Sequence, residues 1–238
     1  IVSDPMFQAV LQPFVLWKTR MGYEVVEAYT SNPAVGTTTA SIKAYLQGLY
    51  NAAAPGNPAP TFVLFVGDVA QIPAWTGTTG SHPSDLYYCE YDGGGDYFPE
   101  LFYGRFSATT VAQLQPQIDK TIEYERYEMA SPAFLADVVL VAGMDGTFGP
   151  THANGQINYA AGEYFNASHG LTSSTYLYPA SGNSAAQIIS DVSAGASFVN
   201  YTAHCGTNGW GDPSFTTTNI PSLQNNGKYP LIIGNCCL

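Results

Sequence analysis

The chain alternates between continuous apolar runs and segments whose apolar positions recur every three to four residues. The recurring spacing predicts amphipathic helices, which lie at residues 37–53, 111–129, 155–168 and 185–192. The continuous runs are typical of strands buried on both faces of a parallel sheet, and they lie at residues 61–68, 137–145, 197–204 and 229–236. Residues 5–20 also have helical spacing, with a break expected near Pro13, and residues 23–30 are predicted as a strand.

The order of these elements predicts the fold class. Strands that alternate with helices favour an α/β protein with a mostly parallel sheet and helices on both faces. Right-handed crossovers bring the carboxyl ends of parallel strands to one edge, where such sheets bind ligands. Asp68, Asp145, His204 and Cys237 each follow an apolar run, so one edge is expected to hold all four side chains.

Composition restricts the partners. The 238 residues include 7 Lys and Arg against 18 Asp and Glu, a net charge of −11. This balance excludes the basic stripe that a nucleic-acid partner requires, and it is compatible with cation binding. No apolar run reaches the roughly 18 residues of a membrane span. The chain has no signal peptide and no starting Met, which indicates a processed or excised segment, and its low Lys content favours a secreted protein.

His204 and Cys237 form a candidate catalytic pair. A cysteine nucleophile acts as the thiolate, which a nearby imidazole can generate and stabilise. Residues 216–229 between the two strands are predicted as a helical crossover, so that one β–α–β unit presents His and Cys side by side. Asp145 is then placed to orient the imidazole from a third strand. The alternative from the residues alone is an inert buried cysteine and a surface histidine.

The cysteines do not form a recognisable framework. Cys89, Cys205, Cys236 and Cys237 show neither disulfide-framework spacing nor the CxxC spacing of a metal site. Cys236 and Cys237 are not expected to bridge each other, because the peptide between them would be strained. Cys236 taken alone is interpreted as an inert core residue.

Residues 200–238 carry the set YTAH, WGDP and IGNCC, which closely resembles the catalytic stretch of the gingipains. The segments FVLFVGD, DLYY and DGGGDYFPE share the same character, so the resemblance covers essentially the whole chain and is strongest to the lysine-specific members. Gingipains are secreted bacterial cysteine peptidases with a caspase-like fold. The resemblance therefore implies two subdomains with a boundary near Ser131-Pro132. Residues 1–131 would carry an acidic calcium-binding loop, and residues 132–238 a catalytic subdomain that is incomplete at its C-terminus.

By position, the resemblance assigns the nucleophile to Cys237, the catalytic histidine to His204 and its acidic support to Asp145. It places the backbone N–H groups of Cys237 and Cys205 in the oxyanion hole, and Thr202 at the S1 pocket. The family usually has Gly where this chain has Cys205. A side chain there is expected to crowd the substrate, and its thiol is expected to lie where it can oxidise with Cys237.

The loop DGGGDYFPE supplies hard oxygen donors, which suit Ca²⁺. The resemblance implies a structural calcium site at this loop. Its expected ligands are Asp68, Asp92, Asp96, the backbone carbonyl of Phe98, and Glu100. The residues alone leave open a solvated acidic surface loop. No redox or organic cofactor is implied.

These features predict a secreted or cell-surface bacterial cysteine endopeptidase. It would cleave proteins or peptides through a thioester on Cys237, after a basic P1 residue. Further C-terminal chain is expected to complete the sheet and to supply the S1 determinant beyond Leu238. The alternative is a catalytically impaired, calcium-stabilised binding or secretion/assembly module on the same fold. Cys205, in place of the usual Gly, favours this alternative. A hydrolase of non-peptide amides is a third hypothesis.

Overall fold

The computed structural model describes residues 1–78, 80–93 and 97–237 of the chain. The chain divides into two compact units, Ile1–Glu125 and Arg126–Leu238. The boundary proposed near Ser131-Pro132 lies on the C-terminal side of this division and stays a prediction. No helix in the described ranges has the length and apolar character of a membrane span.

The first unit is built on a parallel sheet. Its helices are α1 (Gln8–Arg20), α2 (Thr39–Asn51) and α3 (Val111–Arg126). Its strands are β1 (Val2–Ser3), β2 (Ala28–Tyr29), β3 (Phe62–Val66), β4 (Trp75–Thr76), β5 (Pro83–Ser84) and β6 (Phe102–Phe106). The sheet has the order β2-β1-β3-β6 with parallel neighbours, and β4 and β5 form a separate antiparallel hairpin.

Alternate residues of β3 enter two hydrophobic clusters. Val63 and Phe65 pack in one cluster with residues of α2, whereas Val66 packs in another with residues of α1 and α3. Successive strand residues point to opposite faces of a sheet. Helices therefore cover both faces of this sheet, as the alternating pattern predicts.

The second unit repeats this architecture. Its helices are α4 (Asn154–Glu163), which a turn of π-helix precedes, and α5 (Ala185–Ala194). Its strands are β7 (Asp137–Ala142), β8 (Thr172–Tyr176), β9 (Phe198–Thr202), β10 (Cys205–Gly206), β11 (Gly209–Trp210), β12 (Phe215–Thr216) and β13 (Leu231–Asn235). The main sheet is parallel, in the order β13-β9-β7-β8, and the short strands β10, β11 and β12 form an antiparallel sheet.

The core of the second unit also lies on both faces of its sheet. Val139 and Val141 of β7 pack with residues of α5, and Val138 and Leu140 pack with residues of α4. Strand β7 is therefore buried on both sides, which explains its continuous apolar sequence.

Several sequence predictions are wrong in detail. Helix α1 continues through Pro13; this residue and Ala9, whose carbonyl loses its partner, are both exposed, so water can satisfy the freed group. The strand expected at residues 23–30 is reduced to the two residues of β2. The crossover at residues 216–229 contains no α-helix; it holds the end of β12 and the 3₁₀ turn Ile220–Ser222, because Pro221 and the Thr and Asn residues around it favour turns.

Strands β6 and β8 have no counterpart in the sequence predictions. β6 lies in a Gly- and Tyr-rich region without clear periodicity. β8 is a partly exposed edge strand composed mostly of Ser and Thr. Neither contains the continuous apolar run that predicts β3, β7, β9 and β13. The two-residue strands other than β2 also have no counterpart in the sequence predictions.

Candidate active site

Three adjacent strands of the second unit end at the candidate active site. In the centre, Thr202 of β9 is paired with Ala142 of β7 on one side and with Asn235 of β13 on the other. The side chains predicted to act together each lie within a few residues of one of these strand ends. They are Asp145, His204 and Cys237. Asp68 instead follows β3 in the sheet of the first unit, so the single edge expected for all four residues is wrong for Asp68.

Asp145 and His204 are in direct contact. His204 Nε2 lies 3.1 Å from Asp145 Oδ2, and the Asp145 side chain is 15% exposed against 63% for His204. The other oxygen, Oδ1, accepts hydrogen bonds from the backbone N–H groups of Thr147 at 2.8 Å and Phe148 at 2.9 Å. These backbone donors, Phe148 first, and the neighbouring His204 hold the pKa of Asp145 below its usual range. The carboxylate is therefore charged at neutral pH.

The loop that carries His204 is fixed from behind. The His204 carbonyl accepts hydrogen bonds from the buried Tyr201 hydroxyl at 2.8 Å and from the Gly211 N–H at 2.8 Å. The Tyr201 ring stacks on Trp210, with ring centroids 4.4 Å apart. Position 143, directly after β7, must be glycine, because a Cβ there would lie 2.7 Å from side-chain atoms of Ala203 and Tyr201. The backbone that carries the His204 imidazole is thus held by hydrogen bonds and by packed aromatic side chains.

The four cysteines differ sharply in state. Cys205 and Cys236 form a disulfide with their Cα atoms 5.4 Å apart, so the expectation that Cys205 oxidises with Cys237 is wrong. In the described part of the chain Cys237 is a free, exposed thiol, and Cys89 is a free, buried one. Burial raises the pKa of the Cys89 thiol to about 12, which keeps it protonated and unreactive. Cys237 is therefore the candidate nucleophile.

Thr202 lies beside a cleft between α4 and β13. Its hydroxyl donates to Gln156 Oε1 at 3.0 Å and accepts from Asn200 Nδ2 at 3.1 Å. Gln156 and Asn200, together with Asn235 of β13, line the cleft, whose volume is about 400 Å³. The assignment of Thr202 to an S1 pocket stays a prediction.

The acidic loop is described in part. Asp96, an expected calcium ligand, lies outside the described residues, as does Leu238. Asp92 is exposed, and the Phe98 residue is 83% exposed. Asp68 accepts a hydrogen bond from the Val69 N–H at 2.6 Å.

The donor chemistry of this loop suits calcium. Glu100 accepts a hydrogen bond from the Tyr91 N–H at 2.6 Å, and next to the loop a buried oxygen of Glu90 and the Tyr91 hydroxyl have no hydrogen-bond partner in the described structure. Carboxylate oxygens such as those of Glu90 and Glu100 are donors that Ca²⁺ prefers. Among the described residues, however, no three His, Cys, Asp or Glu side chains are grouped to hold a metal, and the calcium site stays a prediction.

Comparison with known proteins identifies the family of this site. A model of peptidase family C25 matches residues 1–238. The chain belongs to peptidase family C25. Lys-gingipain of Porphyromonas gingivalis is 38% identical over 238 residues, which are 100% of the C25 chain and 14% of that protein. Gingipain R1 of the same organism is 30% identical over 241 residues, covering 100% of the chain and 23% of that protein.

Solved protease structures share the fold of the C25 chain. One, described as the structure of a protease, has a TM-score of 0.90 at 37% identity and covers 100% of this chain and 51% of its own. The Arg specific cysteine proteinase gingipain R has a TM-score of 0.81 at 28% identity, with 53% of its chain covered. The gingipain resemblance and the caspase-like α/β fold are therefore confirmed. The C25 chain spans about half the length of these solved chains.

Sequence reasoning missed three contributors to the C25 site. Tyr201 supports the His204 carbonyl, Gln156 supports Thr202, and Cys236 pairs with Cys205. The helical spacing around Gln156 predicts the helix that carries it. It does not indicate the hydrogen bond with Thr202. One signal was available for the disulfide: Cys205 and Cys236 each adjoin a residue assigned to the same catalytic pair.

Proposed function

We propose that this chain carries the catalytic machinery of a cysteine endopeptidase. The observation that supports it most is the contact of a charged Asp145 with His204 at the strand edge where the free thiol of Cys237 also emerges. Membership of family C25 and the names of the relatives are consistent with this activity. An aspartate, an imidazole and an exposed thiol on adjacent strand ends are the groups that acyl transfer by a cysteine requires.

The reaction would divide into two acyl-transfer steps. The Cys237 thiolate attacks the scissile carbonyl carbon, and the His204 imidazolium gives its proton to the departing amine, leaving a thioester on Cys237. His204 then accepts a proton from water as the water attacks the thioester, which releases the acid and restores the thiolate and imidazolium pair. Because Nε2 faces Asp145, Nδ1 is the ring nitrogen left for these transfers. The backbone N–H groups of Cys237 and Cys205 are proposed to stabilise the oxyanion.

A basic P1 residue is the proposed specificity. The net charge of −11 favours cationic substrates, and relatives carry the names Lys-gingipain and Arg specific cysteine proteinase. Thr202, held by Gln156 beside the cleft, is proposed to form part of the S1 wall.

The setting of the enzyme is proposed from the same features. A disulfide between Cys205 and Cys236 favours a secreted or cell-surface bacterial protein, because such bonds persist in oxidising compartments. A structural Ca²⁺ held by Asp68, Asp92, Asp96, the Phe98 carbonyl and Glu100 is proposed to neutralise the acidic loop. Further polypeptide is proposed to cover β13, all of whose residues are exposed.

A binding or assembly module with impaired catalysis is the second candidate. It is favoured by the side chain of Cys205, which directly follows His204 and is bonded to Cys236. A peptidyl chloromethylketone with a basic P1 residue distinguishes the two candidates. We expect the inhibitor mass minus HCl to be added to the Cys237 peptide of the full-length protein, and no added mass in the Cys237→Ala variant. Lack of labelling at Cys237, while the protein is folded, would favour the binding module.

A further inference from the structure

The Cys205–Cys236 disulfide joins the two segments that carry the candidate catalytic residues. Cys205 directly follows His204, and Cys236 directly precedes Cys237. The disulfide therefore closes residues 205–236 into a loop. His204 lies immediately before this loop and Cys237 immediately after it. The bond links the segments after β9 and β13, beyond the point where the hydrogen-bonded ladder of these strands ends.

The rest of the fold holds the two joined segments unequally. On the histidine side, the Tyr201 hydroxyl and the Gly211 N–H both donate to the His204 carbonyl. On the cysteine side, β13 is an edge strand whose five residues are all exposed. Cys236 is the first residue after it that is partly buried, and it packs against the cluster that contains Trp210.

We propose that the Cys205–Cys236 disulfide is a positioning element that holds the nucleophile Cys237 against His204; the inference rests on the catalytic roles proposed above. Neighbouring strands lie about 4.8 Å apart, and the two cysteine Cα atoms lie 5.4 Å apart. The disulfide therefore maintains strand spacing past the end of the ladder. Since proton exchange between thiol and imidazole requires hydrogen-bond distance, the bond keeps the nucleophile within reach of its base.

The same bond gives the enzyme an unusual response to reductants. A dithiol reduces the disulfide by donating two electrons: Cys205 and Cys236 become thiols, and the dithiol becomes a cyclic disulfide. Cysteine peptidases are ordinarily activated by reductants, which keep the nucleophile as a thiol. In this chain, mild reduction is expected to regenerate the Cys237 thiol. Stronger reduction, which also breaks the Cys205–Cys236 bond, is expected to lower activity, because it releases β13 from the segment that carries His204.

The test is the double variant Cys205→Ala/Cys236→Ala in the full-length protein, which removes the bond without adding a thiol. Steady-state kinetics on a peptide with a basic P1 residue should show kcat lowered about ten- to a hundred-fold, with KM changed less than about three-fold. The rate of Cys237 alkylation by iodoacetamide at neutral pH should fall in the variant, because the imidazole that stabilises the thiolate is no longer held beside it. Peptide mapping without reductant should recover the Cys205–Cys236 pair from the wild type.

Each other outcome has a distinct meaning. A wild-type map without this pair, or unchanged kcat and alkylation in a folded variant, overturns the proposal, because a merely stabilising bond affects the melting temperature alone. If the wild type cleaves no peptide but its Cys237 alkylation still depends on the bond, the peptidase function fails and the positioning role stands. If the variant does not fold, graded dithiol treatment of the wild type replaces it. Activity that falls as the pair is reduced while the near-UV circular dichroism stays native supports the proposal; activity that stays level, or falls only together with the dichroism, overturns it.

Discussion

Asp145 receives two backbone hydrogen bonds on one carboxylate oxygen and presents the other to His204 Nε2 at 3.1 Å. The turn that donates these hydrogen bonds belongs to the same loop as Asp145, so the carboxylate is oriented independently of the imidazole. Its lowered pKa keeps it charged throughout the neutral range. In the proposed mechanism, Asp145 would therefore fix one ring nitrogen of His204 and stabilise the imidazolium that forms when the thiol loses its proton.

Asp145→Asn should lower kcat by roughly 10²–10⁴-fold, because an amide neither stabilises an imidazolium nor fixes the same tautomer. The variant should also change the pH dependence of stability. A folded pKa below the unfolded value, about 3.9, contributes stability that is present above that pH and is lost as pH falls through the folded pKa. Urea unfolding should therefore show the wild type more stable than the variant at pH 7, with a smaller difference at pH 3. A constant difference at both pH values would contradict this assignment.

Cys237→Ala should abolish peptide hydrolysis, whereas Cys236→Ala should retain part of it. Consecutive residues of an extended segment point to opposite sides, and Cys236 already uses its sulfur in the disulfide with Cys205. The activity lost in Cys236→Ala would arise from poorer positioning of Cys237, because the nucleophile itself is still present. Cys237 should therefore still be alkylated in that variant. Peptidase assays combined with mass mapping check both statements. Full activity in Cys237→Ala would show that another group is the nucleophile.

Tyr201→Phe should reduce kcat several-fold and lower stability by about 1 kcal/mol. The variant keeps the ring that stacks on Trp210 and removes the hydroxyl that donates to the carbonyls of His204 and Asp212. Each carbonyl retains a second backbone donor, which limits the cost. Tyr88→Phe is the matched control, since this buried hydroxyl donates to the Pro73 carbonyl in the first unit. Equal losses of kcat in the two variants would exclude a specific role for Tyr201 at the site.

The main sheets could be predicted from sequence where burial was complete. Strand β7 is buried on both faces, so its apolar run follows directly from its surroundings. Strand β8 could not be recognised, because an edge position tolerates the Ser and Thr residues that compose it. The length of a β–α–β unit predicts a helical crossover before β13, but local turn residues around Pro221 determine its structure.

The site was predictable to the extent that strand ends determine it. Asp145 and His204 follow adjacent strands, and parallel topology alone brings them to one edge. The Cys205–Cys236 pairing depends instead on the path of two loops after their ladder has ended, which neither periodicity nor cysteine spacing specifies. The hydrogen bond from the Tyr201 hydroxyl has the same origin, because its acceptor lies in a loop.

Removal of calcium should lower the melting temperature of the full-length protein. An ion bound by the folded state alone stabilises it by about 2.7 kcal/mol when its concentration is a hundred times Kd. Excess chelator should therefore shift the transition by several degrees, and added Ca²⁺, but not Mg²⁺, should restore it. The variant Glu100→Gln should respond less than the wild type. An unchanged melting curve in chelator would contradict a structural ion at the acidic loop.

Ile232→Lys should destabilise the full-length protein by roughly 2–3 kcal/mol. Ile232 and Ile233 are each 46% exposed and Leu231 is 64% exposed, on an edge strand whose unpaired backbone groups would otherwise invite association. Further polypeptide packed over β13 would bury the introduced ammonium group, whereas a solvated edge would tolerate it. Met21→Lys is the matched control, because Met21 is 48% exposed at the end of α1 and should change stability by less than about 0.5 kcal/mol. Chemical denaturation of both variants measures their free energies of unfolding. Equally small decreases in the two variants would mean that β13 remains exposed to solvent in the complete protein.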